Sequence, residues 1–270
     1  MIVVVDGIRY HLEVFGDGFP LVLLHGFTGD SSTWHSFFDK WGTHSRLIVP
    51  DIIGHGITES PEGLNPYQIE SMASSLNDIL DELGVDEVDL LGYSMGGRLA
   101  LTFAVLYPNR VRKLILESSS PGLQSENERE LRRMNDAKLA EFIIDKGLNA
   151  FVDYWENISL FQSMKGLPAP AQSKVREQRL KNSPLGLANS LLGMGTGSQP
   201  SWWKELDQLG CDVLLLTGRE DLKFCQIAKD MLTKLKNAKW MVVENSGHAI
   251  HVEEPEKFGT IVSDFLSNEL

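Results

Sequence analysis

The chain has 270 residues, 42% hydrophobic and 23% charged, with only two cysteines. That composition excludes disordered and disulfide-scaffold chains and suits one globular core with plain reduced thiols at Cys211 and Cys225. A formal charge of −12 excludes a general nucleic-acid binder, which needs a basic face.

In chain order, the opening reads as strand 2–5, a turn at Asp6-Gly7 and strand 10–15. It lacks the basic region and cleavage site of a signal peptide. No run approaches the eighteen apolar residues of a membrane span, so the expectation is a cytoplasmic protein. Strands follow at 21–24, 47–49, 88–91 and 114–116, the later ones continuous and apolar as in strands buried on both faces. Segment 67–83 carries Ile69, Met72, Ala73, Leu76, Ile79, Leu80 and Leu83 at helical spacing. This alternation predicts an α/β fold with a mostly parallel sheet flanked by helices.

The rhythm breaks from 121 to 200, where helical segments are interrupted by Gly147, Gly166, Pro168, Pro170 and Pro184. Pro168-Ala169-Pro170 reads as a hinge or loop. Strand 213–217, helix 226–236, strand 240–243 and helix 255–266 then resume the pattern. The expected organisation is a core of 1–120 and 201–270 with a helical cap at 121–200. The cap segment carries a net +1, leaving −13 for the remainder. That split is what a solvated helical layer gives, and also what a cap focusing an anionic ligand gives.

Gly92-Tyr93-Ser94-Met95-Gly96 follows strand 88–91 and opens an apolar helix. G-x-S-x-G between strand and helix holds a serine hydroxyl exposed on a sharp turn. Such a serine needs a base and an orienting acid, in chain order Ser, Asp, His. His248 follows strand 240–243, with His251 its rival. Asp221 follows strand 213–217, with Glu220 and Glu117 as runners-up. His11, His35 and His44 read as surface or packed imidazoles. Leu24-His25-Gly26-Phe27 ends an early strand, so the amides of Phe27 and Met95 are the candidates for an oxyanion hole. His25 beside that turn reads as structural, and Gly54-His55-Gly56 as shaping the same face.

These pieces resemble the α/β-hydrolase superfamily across essentially the whole chain. Finer residues narrow the resemblance: Leu24-His25-Gly26-Phe27-Thr28-Gly29-Asp30, Arg98 after the elbow, Ser120-Pro121-Gly122-Leu123-Gln124, then Arg129, Arg132 and Arg133, Trp155 and Arg179. Together they look like the branch that makes 2-succinyl-6-hydroxy-2,4-cyclohexadiene-1-carboxylate in menaquinone biosynthesis. The resemblance implies a lyase that eliminates pyruvate from 2-succinyl-5-enolpyruvyl-6-hydroxy-3-cyclohexene-1-carboxylate. It implies catalysis by Ser94, Asp221 and His248. It implies substrate binding by Tyr93, Arg98, Arg132, Trp155 and Arg179, because three carboxylates call for arginine forks. Arg98 equally suits a tie from the elbow helix to a neighbouring loop, Arg132 an i,i+4 pair with Glu128, and Trp155 a place in the cap core. Ile53 and Ile57 depart from the small residues and proline usual in such turns.

Two other readings stand beside the lyase. One is a carboxylesterase or C–C bond hydrolase with Ser94 as covalent nucleophile. The other is a non-catalytic interaction protein on the same fold. No phosphate loop, dinucleotide fingerprint or metal-ligand cluster is present in the sequence, so no cofactor is expected. The expected partner is a small anionic tricarboxylate, bound by a monomer.

Overall fold

A computed structural model describes residues 1–267. Strands β1 (Ile2–Val5) and β2 (Ile8–Phe15) form an antiparallel hairpin. Asp6 and Gly7 close it, both at positive φ, as a tight two-residue turn demands. The chain continues through β3 (Phe19–Leu24), α1 (Phe38–Trp41), β4 (Ser45–Pro50), α2 (Ile69–Glu82), β5 (Val88–Tyr93), α3 (Met95–Leu106) and β6 (Val111–Glu117). Helices α4 (Glu126–Trp155), α5 (Ala169–Arg179) and α6 (Pro184–Met194) come next. Then come β7 (Asp212–Gly218), α7 (Leu222–Leu232), β8 (Ala238–Val243), α8 (Ile250–Glu253) and α9 (Pro255–Ser267).

The eight strands form one sheet in the order β1-β2-β4-β3-β5-β6-β7-β8. The pairs β1/β2 and β2/β4 are antiparallel and the rest parallel. The apolar strands bury both faces. In β7, Val213 and Leu215 enter one core layer, and Leu214 and Leu216 enter the opposite one. Helix α2 buries Ile69, Met72, Ala73, Leu76, Ile79 and Leu80 against the first layer, the stripe its spacing predicts.

From β3 the chain turns one way to β4, and β5 then pairs the opposite edge of β3. The turns leaving β3 and β5 therefore flank a switch point at the carboxyl ends of the strands, where open α/β sheets bind ligands. Residues 121–200 contain helices and turns only, with their own apolar cluster of Ala140, Ile143, Phe151, Val152, Leu187, Ala188 and Leu191. Helix α4 is broken at Gly147, at φ 78° and ψ 170°.

Pro168-Ala169-Pro170 is not a hinge: it opens α5, with Pro170 in the first turn, where a missing N–H is no loss. Polar contacts fasten this layer to the sheet. Asn182 Nδ2 donates to the Thr28 carbonyl at 2.8 Å and Gln178 Nε2 to Asp30 Oδ1 at 2.6 Å. Among the described residues, no helix is long and apolar enough to cross a membrane.

Candidate active site

Ser94 stands between β5 and α3 at φ 51°, a strained value for a residue with a Cβ. Its main-chain N–H donates to the Glu117 carbonyl at 2.9 Å. The turn closes because Gly96 carries no side chain: a Cβ there would collide with the carbonyl oxygens of Leu24 and His25. Thr28, Ser118 and Asn245 also adopt positive φ, and each follows a strand end facing the same region. Of the five non-glycine residues at positive φ among the described residues, only Asp6 lies elsewhere.

The sequence-expected serine, histidine and aspartate meet. His248 Nδ1–H donates to Asp221 Oδ2 at 2.7 Å, and His248 Nε2 accepts the Ser94 hydroxyl at 2.9 Å. Asp221 also caps α7, accepting from the Phe224 amide at 3.3 Å. His248 is buried and Ser94 half-buried. This is the arrangement in which an imidazole takes a hydroxyl proton while the carboxylate fixes its tautomer. Phe27 and Met95 line the same cavity as Ser94 and His248. Met95 is the first residue of α3, so its N–H belongs to the amides a helix start leaves without an intrahelical acceptor.

The rival groups have other partners. Glu220 is exposed, while Glu117 bonds His251. His25 Nδ1–H donates to the Gly26 carbonyl at 2.8 Å, and its Nε2 accepts the Ile52 N–H at 3.0 Å. It therefore fastens the turn after β3 to the loop after β4, and burial lowers its pKa. His11 pairs with Asp51, His35 with Glu13, and His44 with Ser45.

The cavity, about 340 Å³, has room for a small metabolite. Tyr93, Arg98, Arg132 and Trp155 line it. Arg98 Nη1 donates to the Met194 carbonyl at 2.6 Å and also to Gln199 Oε1, so it ties the elbow helix to the helical layer while facing the cavity. Burial, then Arg132, pushes the Arg98 guanidinium down to about 9. Arg132 does not pair with Glu128. Its Nε donates to both oxygens of Asp136 at 2.8 and 2.9 Å, while Glu128 closes a capping box with Ser125.

Trp155 stacks on Phe151 at 5.6 Å and meets Phe27 edge-on at 5.4 Å, half in the core and half in the wall. Its buried indole N–H has no partner among the described residues. Arg179 lines a smaller cavity behind Tyr93 and Phe161, not the one that holds Ser94. It is 6% exposed and lies 4.8 Å from the Phe161 ring. Among the described residues its side chain has no hydrogen-bond or ion-pair partner, and burial lowers its pKa.

Sequence reasoning missed Asp136, which holds Arg132, and Gln199, which holds Arg98. It also gave no role to Lys223 and Phe224, which line the cavity. The adjacency of Lys223 and Phe224 to Asp221 was the available signal.

The chain belongs to the alpha/beta hydrolase family, whose sequence profile matches residues 20–255. Within that family it is similar to a Bacillus subtilis (strain 168) protein provisionally named 2-succinyl-6-hydroxy-2,4-cyclohexadiene-1-carboxylate synthase. The two are 46% identical over 269 residues, 99% of this chain and 98% of the relative. The fold is similar to a solved structure of MenH from S. aureus, with a TM-score of 0.91 and 36% identity over 96% of this chain and 97% of that one. A 2-hydroxy-6-oxo-2,4-heptadienoate hydrolase of Pseudomonas putida is 30% identical over 284 residues, 99% of this chain and 96% of that protein.

Proposed function

We propose that the chain is a lyase of menaquinone biosynthesis. It eliminates pyruvate from 2-succinyl-5-enolpyruvyl-6-hydroxy-3-cyclohexene-1-carboxylate to give 2-succinyl-6-hydroxy-2,4-cyclohexadiene-1-carboxylate. The observation that carries this reading is a complete Ser94–His248–Asp221 relay opening into a cavity lined by Arg98 and Arg132, in a chain 46% identical to a relative of that name. Residues 121–200 act as a cap over a core of 1–120 and 201–270. The protein works as a monomer in the cytoplasm.

The chemistry follows from the geometry. His248 takes the Ser94 hydroxyl proton, and the alkoxide removes the ring proton beside the succinyl ketone. The ketone oxygen becomes an enolate, received by the amides of Phe27 and Met95. The enolate reforms its carbonyl, a C2=C3 bond forms as the ring C3=C4 bond shifts to C4=C5, the C5–O bond breaks, and the pyruvate enolate leaves with the electron pair. The proton held by the imidazolium returns to the leaving group, and Ser94 keeps the one it took from carbon. No acyl-enzyme forms. Arg98 and Arg132 take substrate carboxylates, and Trp155 borders the same cavity. Tyr93 borders this cavity and that of Arg179, which offers a further cation to a group reaching past the phenol.

The test is pyruvate release from the enolpyruvyl substrate beside hydrolysis of a p-nitrophenyl ester. Ser94→Ala is expected to lower pyruvate release by at least about 10³-fold. Arg132→Ala should raise KM about 10-fold or more, the equivalent of one lost charge-assisted contact. Rapid ester cleavage without pyruvate release would make the protein a hydrolase instead.

A further inference from the structure

Glu117 and His251 belong to no step of this chemistry, yet they form a second buried acid–histidine pair beside the first. His251 Nδ1 lies 2.9 and 3.0 Å from the two Glu117 carboxylate oxygens, and the His251 main-chain N–H donates to Glu117 Oε1 at 3.1 Å. Glu117 is 0% exposed and His251 6%. A carboxylate this deep requires such partners, since an unpaired one is strongly disfavoured.

The position of the pair gives it a use. The main-chain oxygen of Glu117 accepts the Ser94 N–H at 2.9 Å. One residue thus grips the nucleophile turn with its backbone and, with its side chain, His251 in α8, three residues past His248. The His251 ring meets the Tyr93 ring edge-on at 4.5 Å, and Tyr93 lies against His248 at 5.4 Å. Tyr93 also fills the space beside Gly26, where a Cβ would come within 2.6 Å of its ring. A shift of Glu117 or His251 would therefore be felt at the nucleophile, the base and the Phe27 turn together.

We infer that Glu117 is a positioning residue that sets the Ser94–His248 hydrogen bond, with His251 as the counter-group that keeps its carboxylate in place. Proton-transfer geometry is unforgiving: a displacement of about 1 Å costs on the order of 100-fold in rate. The inference rests on Ser94 and His248 being the reacting pair, so its test includes a probe that does not depend on the lyase substrate.

Glu117→Gln keeps an oxygen able to accept the His251 main-chain N–H but loses the carboxylate's grip on the ring. His251→Gln keeps the main-chain bond and loses the ring contact with Tyr93. For each variant the measurements are kcat and KM for pyruvate release, the rate of Ser94 phosphonylation by a fluorophosphonate, and the melting temperature. Glu117→Gln is expected to lower kcat and the labelling rate together, by about 10- to 100-fold, with KM within about twofold. His251→Gln should give a smaller loss in the same two quantities, and it decides the matter if Glu117→Gln does not fold. A folded Glu117→Gln that labels and turns over within about twofold of the parent overturns the inference, as does a loss confined to KM. A parent that labels at Ser94 but releases no pyruvate defeats the lyase reading, while the labelling ratio still decides the positioning role.

Discussion

Asp136 is 4% exposed beside two arginines, yet burial outweighs Arg132 and holds its carboxyl above the usual range. A raised carboxyl binds more protons folded than unfolded between its two pKa values. Stability therefore falls as pH climbs through that window and stays lower above it. The ionised form of Asp136 is thus less favoured in the fold than in the open chain, and its use is orientation. With Nε held by both carboxylate oxygens, Arg132 has its two terminal nitrogens left to fork a substrate carboxylate. Asp136→Asn is expected to keep or raise the melting temperature at pH 7 while raising KM about 10-fold. Melts beside steady-state pyruvate release check this, and a lower melting temperature at unchanged KM would make Asp136 structural only. Ser94, Asp221 and His248 were readable because each stands in a short turn directly after an apolar strand. Asp136 was not, because Glu128 and Asp136 lie equally four residues from Arg132. The choice is made by Ser125, whose capping box occupies Glu128.

Helix α6 touches the loop after β4 with no space between backbones: a Cβ on Gly186 would collide with the Gly54 carbonyl oxygen and approach the Ser60 hydroxyl at 2.6 Å. Gly54 itself is at φ +77° and cannot readily yield. Gly186→Ala should therefore push α6 outward, and with it Ser190, Leu191 and Met194 on the cavity wall. The relay residues follow strand ends, and among the described residues no hydrogen bond joins them to α6. The expected result is kcat/KM for pyruvate release down about 10-fold, at a stability loss of about 1–3 kcal/mol from overpacking, with Ser94 phosphonylation near the parent rate. Equal losses in both rates would mean that α6 supports the relay itself. The inner strands β3, β5 and β7 were readable because they are short apolar runs with both faces in the core. The helical layer was less so. Over α4 only Asp136, Ala140, Ile143, Phe151 and Val152 are buried, which leaves few apolar positions to set a period. Pro168-Ala169-Pro170 misled because the φ that proline imposes serves a loop and a first helical turn alike.

Across the whole molecule, a net charge of −12 would by itself favour mild acidification, since neutralising carboxylates relieves self-repulsion. Two buried imidazoles oppose this. His25 and His55 are fully buried with ring centroids 5.2 Å apart, between the turn after β3 and the loop after β4. Burial, then the neighbouring His25, lowers His55 to about 3. Its Nδ1–H donates to the Ile53 carbonyl at 3.0 Å, and its Nε2 has no partner among the described residues. His25 would lose the bond it accepts from Ile52 if it gained a proton. An imidazole with a depressed folded pKa binds fewer protons folded than unfolded, so its stabilisation is present above the unfolded value of 6.5 and is lost as pH falls toward 3. Between pH 7 and pH 5 the His55 contribution alone amounts to about 2 kcal/mol, larger than surface carboxylates return over that range. His55→Asn keeps a donor for the Ile53 carbonyl and removes the titration. Denaturant midpoints at pH 7 and 5, at fixed ionic strength, should show the parent losing about 2 kcal/mol more than this variant on acidification. The variant starts lower at pH 7, because a smaller side chain leaves space between Phe27 and His25. Equal acid losses in the two proteins would assign the sensitivity to His25, the other imidazole that must stay neutral for the turn bearing Phe27 to hold its place.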